Sequence, residues 1–485
     1  MANAKRVTAA APAATEEARW SFPWGAVPAA LATVGDRRLE ARSYLTDGFG
    51  LRNRLFASSD EVKSLDEVAK IWLPGRLKTY VVPPGRGLPY LSAGQVLEER
   101  PRVRKWIARA MVKDPQALKV DPSWLLLTRS GEVGKLTAVY DEHVGVIITD
   151  DMLRIEARDS ADYGWIYAYM RTATFGAIAR TAQYGHMIKH LEPAHVQGMP
   201  IPWPSDSLRT EVAQLASKAI DLRRQARRDQ AAADSLYEAA VGYTRSRAEV
   251  VHSTVRASSL MSGRRRLDAQ HHRGDVEELH RLIHSSATHG VNTLQELSLS
   301  VSLGNRFKRF FDEGEDGTPY RSAGELFDVN PPVTKRIFSA LLDNPEKYML
   351  HAGSIIMACS GQTYGLLGRT KLLTEAHEGI FGSHDLIRIL PDTTKVQPGY
   401  LQTALSNESV GRPLVVKHAY GTSIPHLDPV DIRQLAIPRF TASIEKSIAD
   451  HAEAAVKSNM EADSFETAAT VRAQDVVNAS LSASG

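Results

Sequence analysis

Along this chain the apolar positions change period in a fixed order, and the order occurs twice. Short apolar runs broken by Gly and Pro come first: Tyr80-Val81-Val82 ahead of Pro83-Pro84-Gly85, Trp124-Leu125-Leu126-Leu127-Thr128 ahead of Ser130-Gly131, and Val144-Gly145-Val146-Ile147-Ile148. Such runs predict strands joined by tight turns. Residues 163–184 then take helical spacing, and 205–240 contain no Gly or Pro and place Leu208, Val212, Leu215, Ala219, Leu222 and Ala226 at 4-3 spacing. That is a heptad-like seam on one long helix. The second half repeats the order. Ser354-Ile355-Ile356-Met357-Ala358-Cys359 runs into Ser360-Gly361, 398–409 read as helix, and 441–480 lack Gly and Pro and open their apolar spacing at Ile444, Ile448 and Ala452.

Residue identities keep the same register as the pattern. Residues 184–202 and 420–438 align without a gap and share Tyr184/Tyr420, Gly185/Gly421, Ile188/Ile424, His190/His426, Leu191/Leu427, Pro193/Pro429, Ile201/Ile437 and Pro202/Pro438. Ordinary composition would give about one such match. Upstream, Pro89-Tyr90 and Ser92-Ala93-Gly94 meet Pro319-Tyr320 and Ser322-Ala323-Gly324, and Arg76 and Lys78 meet Arg306 and Lys308. A unit of about 230 residues is therefore written twice, which is the size of a domain and not of a solenoid repeat.

The predicted fold is α/β: two tandem related domains, each followed by a long helix. Residues 1–19 read as a disordered Ala-rich tail, 20–204 as the first domain, 205–256 as a central helical spacer, 257–440 as the second domain and 441–485 as a C-terminal helical spacer. Ser207 and Ser443 occupy equivalent positions and could cap the helices. About 36 residues at 1.5 Å rise make a rod of about 54 Å. Neither rod can bury its stripe alone, so the two are expected to pack as an antiparallel coiled coil with a pseudo-two-fold axis, holding the domains apart.

Composition removes several classes of function. No apolar run reaches the length of a membrane span, and the first residues lack the apolar core of a signal peptide, so a cytoplasmic protein is expected. A single cysteine, Cys359, rules out a disulfide framework or a multi-cysteine zinc site. The net charge of +3 allows nucleic acid without demanding it.

Catalytic fragments are few. Asn330-Pro331-Pro332-Val333 has the start of an amino-methyltransferase element but lacks its aromatic, and reads as a Pro-Pro turn. No P-loop is present. His280 and His284 share a helix face and could bind metal, although a solvated face is the simpler reading. His190 and His426, common to both copies, suit a structural role, with the rings bonding backbone carbonyls at a turn. Two similar modules on a rigid spacer suit a target that itself repeats, and duplex DNA is the common case. Arg76, Lys78, Arg306 and Lys308 would then meet phosphate, together with Arg86, Arg102, Arg104 and Lys105 in the first copy and Arg309, Arg321, Lys335, Arg336, Arg369 and Lys371 in the second.

The arrangement resembles the specificity subunit of Type I restriction–modification enzymes. The resemblance rests on the Tyr-Gly-x-x-Ile-x-His-Leu endings at Tyr184 and Tyr420, both running to Ile-Pro, on the Pro-Tyr-x-Ser-Ala-Gly elements, on the Arg-Leu-Asp-Ala opening at Arg266, and on a long helix after each domain. It implies a non-catalytic DNA reader of a bipartite site in phage defence and DNA methylation, with target-recognition domains reading bases from loops. The reading and phosphate-binding set would be Arg76, Lys78, Arg129, Ser130, Lys135, Tyr184 and His186 in the first domain. In the second it would be Arg306, Lys308, Ser360, Gln362, Thr363, Tyr364, Arg369, Lys371, Tyr420, Thr422 and Ser423. The rods, through Leu208, Val212, Leu215, Leu222, Ile444 and Ile448, would dock two methyltransferase subunits and, through them, restriction subunits. No cofactor or metal would sit in this chain: S-adenosylmethionine belongs to the methyltransferase, ATP and Mg to the restriction subunit. The same architecture in another defence or modification system, or a coiled-coil scaffold that never touches DNA, are the alternatives.

Overall fold

The computed structural model describes residues 41–184, 190–244, 254–260, 264–312, 314 and 316–483. The expected tail over 1–19 and His186 lie outside them. Each module is built on a four-stranded antiparallel sheet. In the first the order is Ala69–Trp72, Met152–Ala157, Trp124–Thr128, Leu136–Ala138; in the second it is Ser298–Leu303, Leu386–Pro391, Ile355–Ala358, Thr370–Leu372.

The central strands explain their own sequence. Leu125 and Leu127 face the main core of the first module while Leu126 faces a second cluster beneath the neighbouring sheet. Ile355 and Met357 divide from Ile356 and Ala358 in the same way. A strand buried on both faces needs an unbroken apolar run and not alternation. The second, smaller sheet has the order Val81–Val82, Lys105–Ile107, Leu88–Leu91, Ile147–Ile148, with only the last pair parallel. Its copy runs Phe311–Asp312, Arg336–Ile337, Thr318–Arg321, Phe381–Gly382. The Ile-Pro ending of each module closes a two-stranded ribbon, Pro200–Pro202 on Val62–Ser64 and Ala436–Pro438 on Val291–Thr293.

The first rod is one helix over Asp206–Val241 and the second one helix over Ala442–Ser482. They lie antiparallel. Val212 and Ala216 share a core with Ala473 and Val477 at one end, and Tyr237 and Val241 share one with Ile448 and Ala452 at the other. The first rod stops at Gly242, whose φ of 71° is the left-handed turn glycine accepts without a Cβ clash. The N-caps are Ser205 and Thr441, not the expected Ser207 and Ser443, which sit inside the first turn.

Two expectations about the rods need correcting. The buried stripe of the first runs Val212, Ala216, Ala219, Arg223, Ala226, Gln230, Ala233. Leu215 and Leu222 sit one position off it, half-exposed, because Ala and Arg take the seam positions. The modules are also not held apart. Glu99 N–H donates to Phe327 O (2.9 Å) and Val329 N–H donates to Leu97 O (3.0 Å), so Glu98 and Asp328 lie paired across the centre. Residues 97–99 and 327–329 differ by 230, the repeat offset found around Tyr90 and Tyr320, and this short antiparallel contact therefore sits on the pseudo-two-fold axis.

Candidate nucleic-acid interface

In each module three segments that are distant in sequence converge on one turn-built face. In the second, the Ser360 hydroxyl donates to Asp385 (2.9 Å) and lies 2.8 Å from His426 Nδ1. Gly361 N–H donates to Pro425 O (3.1 Å), and the Gln362 amide donates to Ser423 O (3.1 Å). Tyr420 and His426 exchange backbone hydrogen bonds of 3.0 and 2.7 Å, closing a loop around Gly421 at φ 95°. The basic loop that carries Arg306, Lys308 and Arg309 joins them, with the Arg309 guanidinium 3.8 Å from Asp385. Gln362, Tyr364, Tyr420, Thr422 and Ser423 are exposed there.

The first module repeats the scheme. Leu191 N–H donates to Arg129 O (2.8 Å), Tyr184 and His190 pair through their backbones, and Ser130 bridges His190. Arg76 lies 4.0 Å from Asp150, and Lys78 is exposed beside it.

Two arginines, one fully buried and one half-buried, hold this face from below, and neither is visible as a sequence motif. Arg154 is fully buried and donates to the carbonyls of Ile148, Thr149 and Met152. Arg388, its equivalent, donates to those of Tyr348, Gly382, Ser383 and Leu386. Burial lowers both guanidinium groups to about 10, still charged at neutral pH. Each therefore pins the turn that presents Asp150 or Asp385. Arg412 does the same for the loop after Gly361, donating to Thr363, Gly365 and Leu367 carbonyls.

Several expected contacts to DNA are occupied elsewhere. Arg129 is 3 % exposed and paired with Glu192 at 2.5 Å, while the Tyr184 hydroxyl donates to the same carboxylate. Lys135 bonds Asp328 (3.1 Å), Arg369 bonds Glu98 (3.0 Å), and Lys371 bonds Glu99, so these three cations bind the modules to one another. Arg104 is drawn to Glu98 as well (2.8 Å), and Arg102 to Asp234 (3.2 Å). The histidines differ in detail from expectation: backbone groups close the turn, and the His426 ring meets the Ser360 hydroxyl and not a carbonyl. His280 and His284 rings lie 4.5 Å apart, and no cluster of three or more metal-ligating side chains forms among the described residues. Of the docking set, Val212 and Ile448 are fully buried between the rods and cannot meet a partner; Leu208, Leu215, Leu222 and Ile444 keep exposed surface.

The fold and the site together define a two-jawed protein: two copies of one module, each with a turn-built face and a basic loop, joined by an antiparallel helix pair. No family model matches the sequence, and no curated protein matches it. Among solved structures the chain is similar to the S subunit of a Type-I restriction-modification system from M. genitalium, at 12 % identity over 87 % of this chain and 96 % of that one, with a TM-score of 0.36. It is similar to the HsdS subunit from Thermoanaerobacter tengcongensis at 11 % identity, over 87 % and 96 % of the two chains, with a TM-score of 0.27. A third, from work on complex assembly and conformational transition of the type I R-M system, stands at 12 % identity, 87 % and 97 % coverage and a TM-score of 0.27.

Proposed function

We propose that this chain is the DNA-recognition subunit of a Type I restriction–modification complex, with no reactive centre of its own. The observation that carries the reading is the repetition, about one axis, of a face on which Arg306, Lys308 and the Ser360 and Tyr420 turns (Arg76, Lys78 and the Ser130 and Tyr184 turns in the first module) come together. Cations there meet phosphate, and the exposed Gln362, Tyr364, Thr422 and Ser423 present donors, acceptors and a ring to base edges. Each module reads one half of a split site. The outward faces of the rods, at Leu208, Leu222 and Ile444, dock two methyltransferase subunits and through them restriction subunits; Leu215, packed against the core of the first module, offers only an edge, and those partners bring S-adenosylmethionine, ATP and Mg.

Selection of bound duplexes from a random library with the full chain tests this. A split motif with a fixed gap is expected, with affinity falling steeply with salt. Absence of binding to any duplex at low salt would leave the coiled-coil scaffold as the surviving interpretation.

A further inference from the structure

We propose that the gap between the two half-sites is set by the contact between the modules on the pseudo-two-fold axis, and not by the rods alone. The proposal rests on the bipartite DNA reading above.

Rod packing by itself fixes register weakly. Larger apolar side chains are buried towards the rod ends, among them Val212, Tyr237, Ile448 and Val477, while the stretch between them is rich in alanine: Ala216, Ala219, Ala226 and Ala233 on one rod, Ala452, Ala455, Ala462, Ala469 and Ala473 on the other. Alanine lets helices approach closely but offers no large knob to reject a slipped alignment, and register in helix pairs is best specified by an isolated buried polar group. Sliding by one heptad would set much of the alanine against alanine again. Of the buried polar groups on the rods, the ones that pair across the seam and break this degeneracy are Arg223, 2 % exposed, and Glu466, 1 % exposed, 3.1 Å apart.

Those groups are tied to the contact between modules. Glu466 also receives Arg171 of the first module (3.1 Å) and Asn330 of the second (2.7 Å), and Arg171 donates to Asn330 O (2.8 Å). Asn330 directly follows the 327–329 segment that pairs with 97–99. Around that pairing lie Glu98 with Arg104 and Arg369, Asp328 with Lys135, and Glu99 with Lys371. The contact thus joins both modules and both rods at one place, with two backbone hydrogen bonds whose geometry allows one register only. Any change in rod register moves one module past the other and breaks all of them together.

The test uses the full chain and a panel of duplexes carrying its selected half-sites, with the gap varied by single base pairs. Glu98→Lys with Asp328→Lys places like charge against Arg104, Arg369 and Lys135 and opens the contact. The wild type is expected to prefer one gap by at least about a hundredfold, and the double variant to bind neighbouring gaps within about tenfold of each other. A double variant that keeps the single gap overturns the proposal. A wild type that selects no split site overturns the DNA reading instead, so the two failures are distinct. Should the charge-reversed chain not fold, Glu98→Cys with Asp328→Cys gives the opposite perturbation. Paired strand residues lie within disulfide reach, and the locked chain is expected to keep the wild-type gap. Loss of binding at that gap on locking, with recovery on reduction, also overturns the proposal.

Discussion

Removing the Glu466 carboxylate should loosen the whole molecule at its centre, with a pH signature that identifies the cause. Burial alone would raise its pKa from the ordinary 4.5. Arg171 and Arg223, helped by Tyr167 and Asn330, overcome that and hold it down to about 2. A folded pKa below the unfolded value contributes stability above the unfolded pKa and loses it as pH falls through the folded one, so this group's contribution is complete by about pH 5 and gone near pH 2. The drop from 4.5 to about 2 corresponds to about 3 kcal/mol. Glu466→Ala also leaves two buried guanidinium groups without their shared countercharge, and breaking a buried pair in this way costs about 3–5 kcal/mol. Equilibrium urea unfolding followed by circular dichroism should show that loss at pH 7. The gap between wild type and variant should close by about 3 kcal/mol between pH 5 and pH 2. A gap of similar size at both ends of that range would refute the electrostatic account and assign the loss to packing.

Other outcomes follow from the same geometry. Arg306→Gln with Lys308→Gln should lower the slope of log affinity against log salt by about 2, at about 0.9 per phosphate contact, while Arg369→Gln and Lys371→Gln should leave it unchanged; salt titrations of duplex binding separate the two sets. One heptad inserted after Arg223 and another after Asn459 lengthens the helix pair by about 10 Å and parts the contact at 97–99 and 327–329, so gap preference should broaden. A clean shift of about three base pairs, seen by binding-site selection, would favour rods acting alone. Arg388→Met removes the donors beneath Gly382 and Ser383, and amide exchange at 382–386 should accelerate while the rods stay protected.

The duplication was legible because the copies keep identical residues in register, and the rods because no Gly or Pro interrupts them. The antiparallel pairing followed from the stripes, yet the stripe itself was misplaced by one residue at Leu215 and Leu222. Hydrophobicity favours Leu over Ala, whereas close helix contact favours Ala216, and a buried Arg223 is not foreseeable without its acid on the other rod. The basic set divides for a similar reason. Arg306 and Lys371 look alike in sequence, each a cation in a turn-rich stretch, but Lys371 meets Glu99, 272 residues away. Nothing local distinguishes a cation free for phosphate from one already satisfied. Arg154 and Arg388 were hidden too, because their partners are backbone carbonyls, which every sequence has.

The axis also accounts for the distribution of charge around it. Two equivalent positions that meet on a two-fold must carry similar side chains if the copies are similar, and here both are acids, Glu98 and Asp328. Facing like charges out of water is unfavourable, and Asp328 registers it: burial raises its pKa, Glu98 adds to the rise, and Lys135 and Arg369 oppose it. The arrangement holds only because each acid has a cation from the opposite module, Arg369 for Glu98 and Lys135 for Asp328. Those two cations are themselves equivalent, each immediately preceding the outermost strand of its sheet, Leu136–Ala138 and Thr370–Leu372. A unit that carried one acid at the axis and one cation beside that strand would satisfy every one of these contacts by pairing with a copy of itself. Lys135 and Arg369, both expected at DNA, are therefore fixed in the symmetry of the chain, and the basic loops at Arg76 and Arg306 are left as the part of each module that points its charge outward.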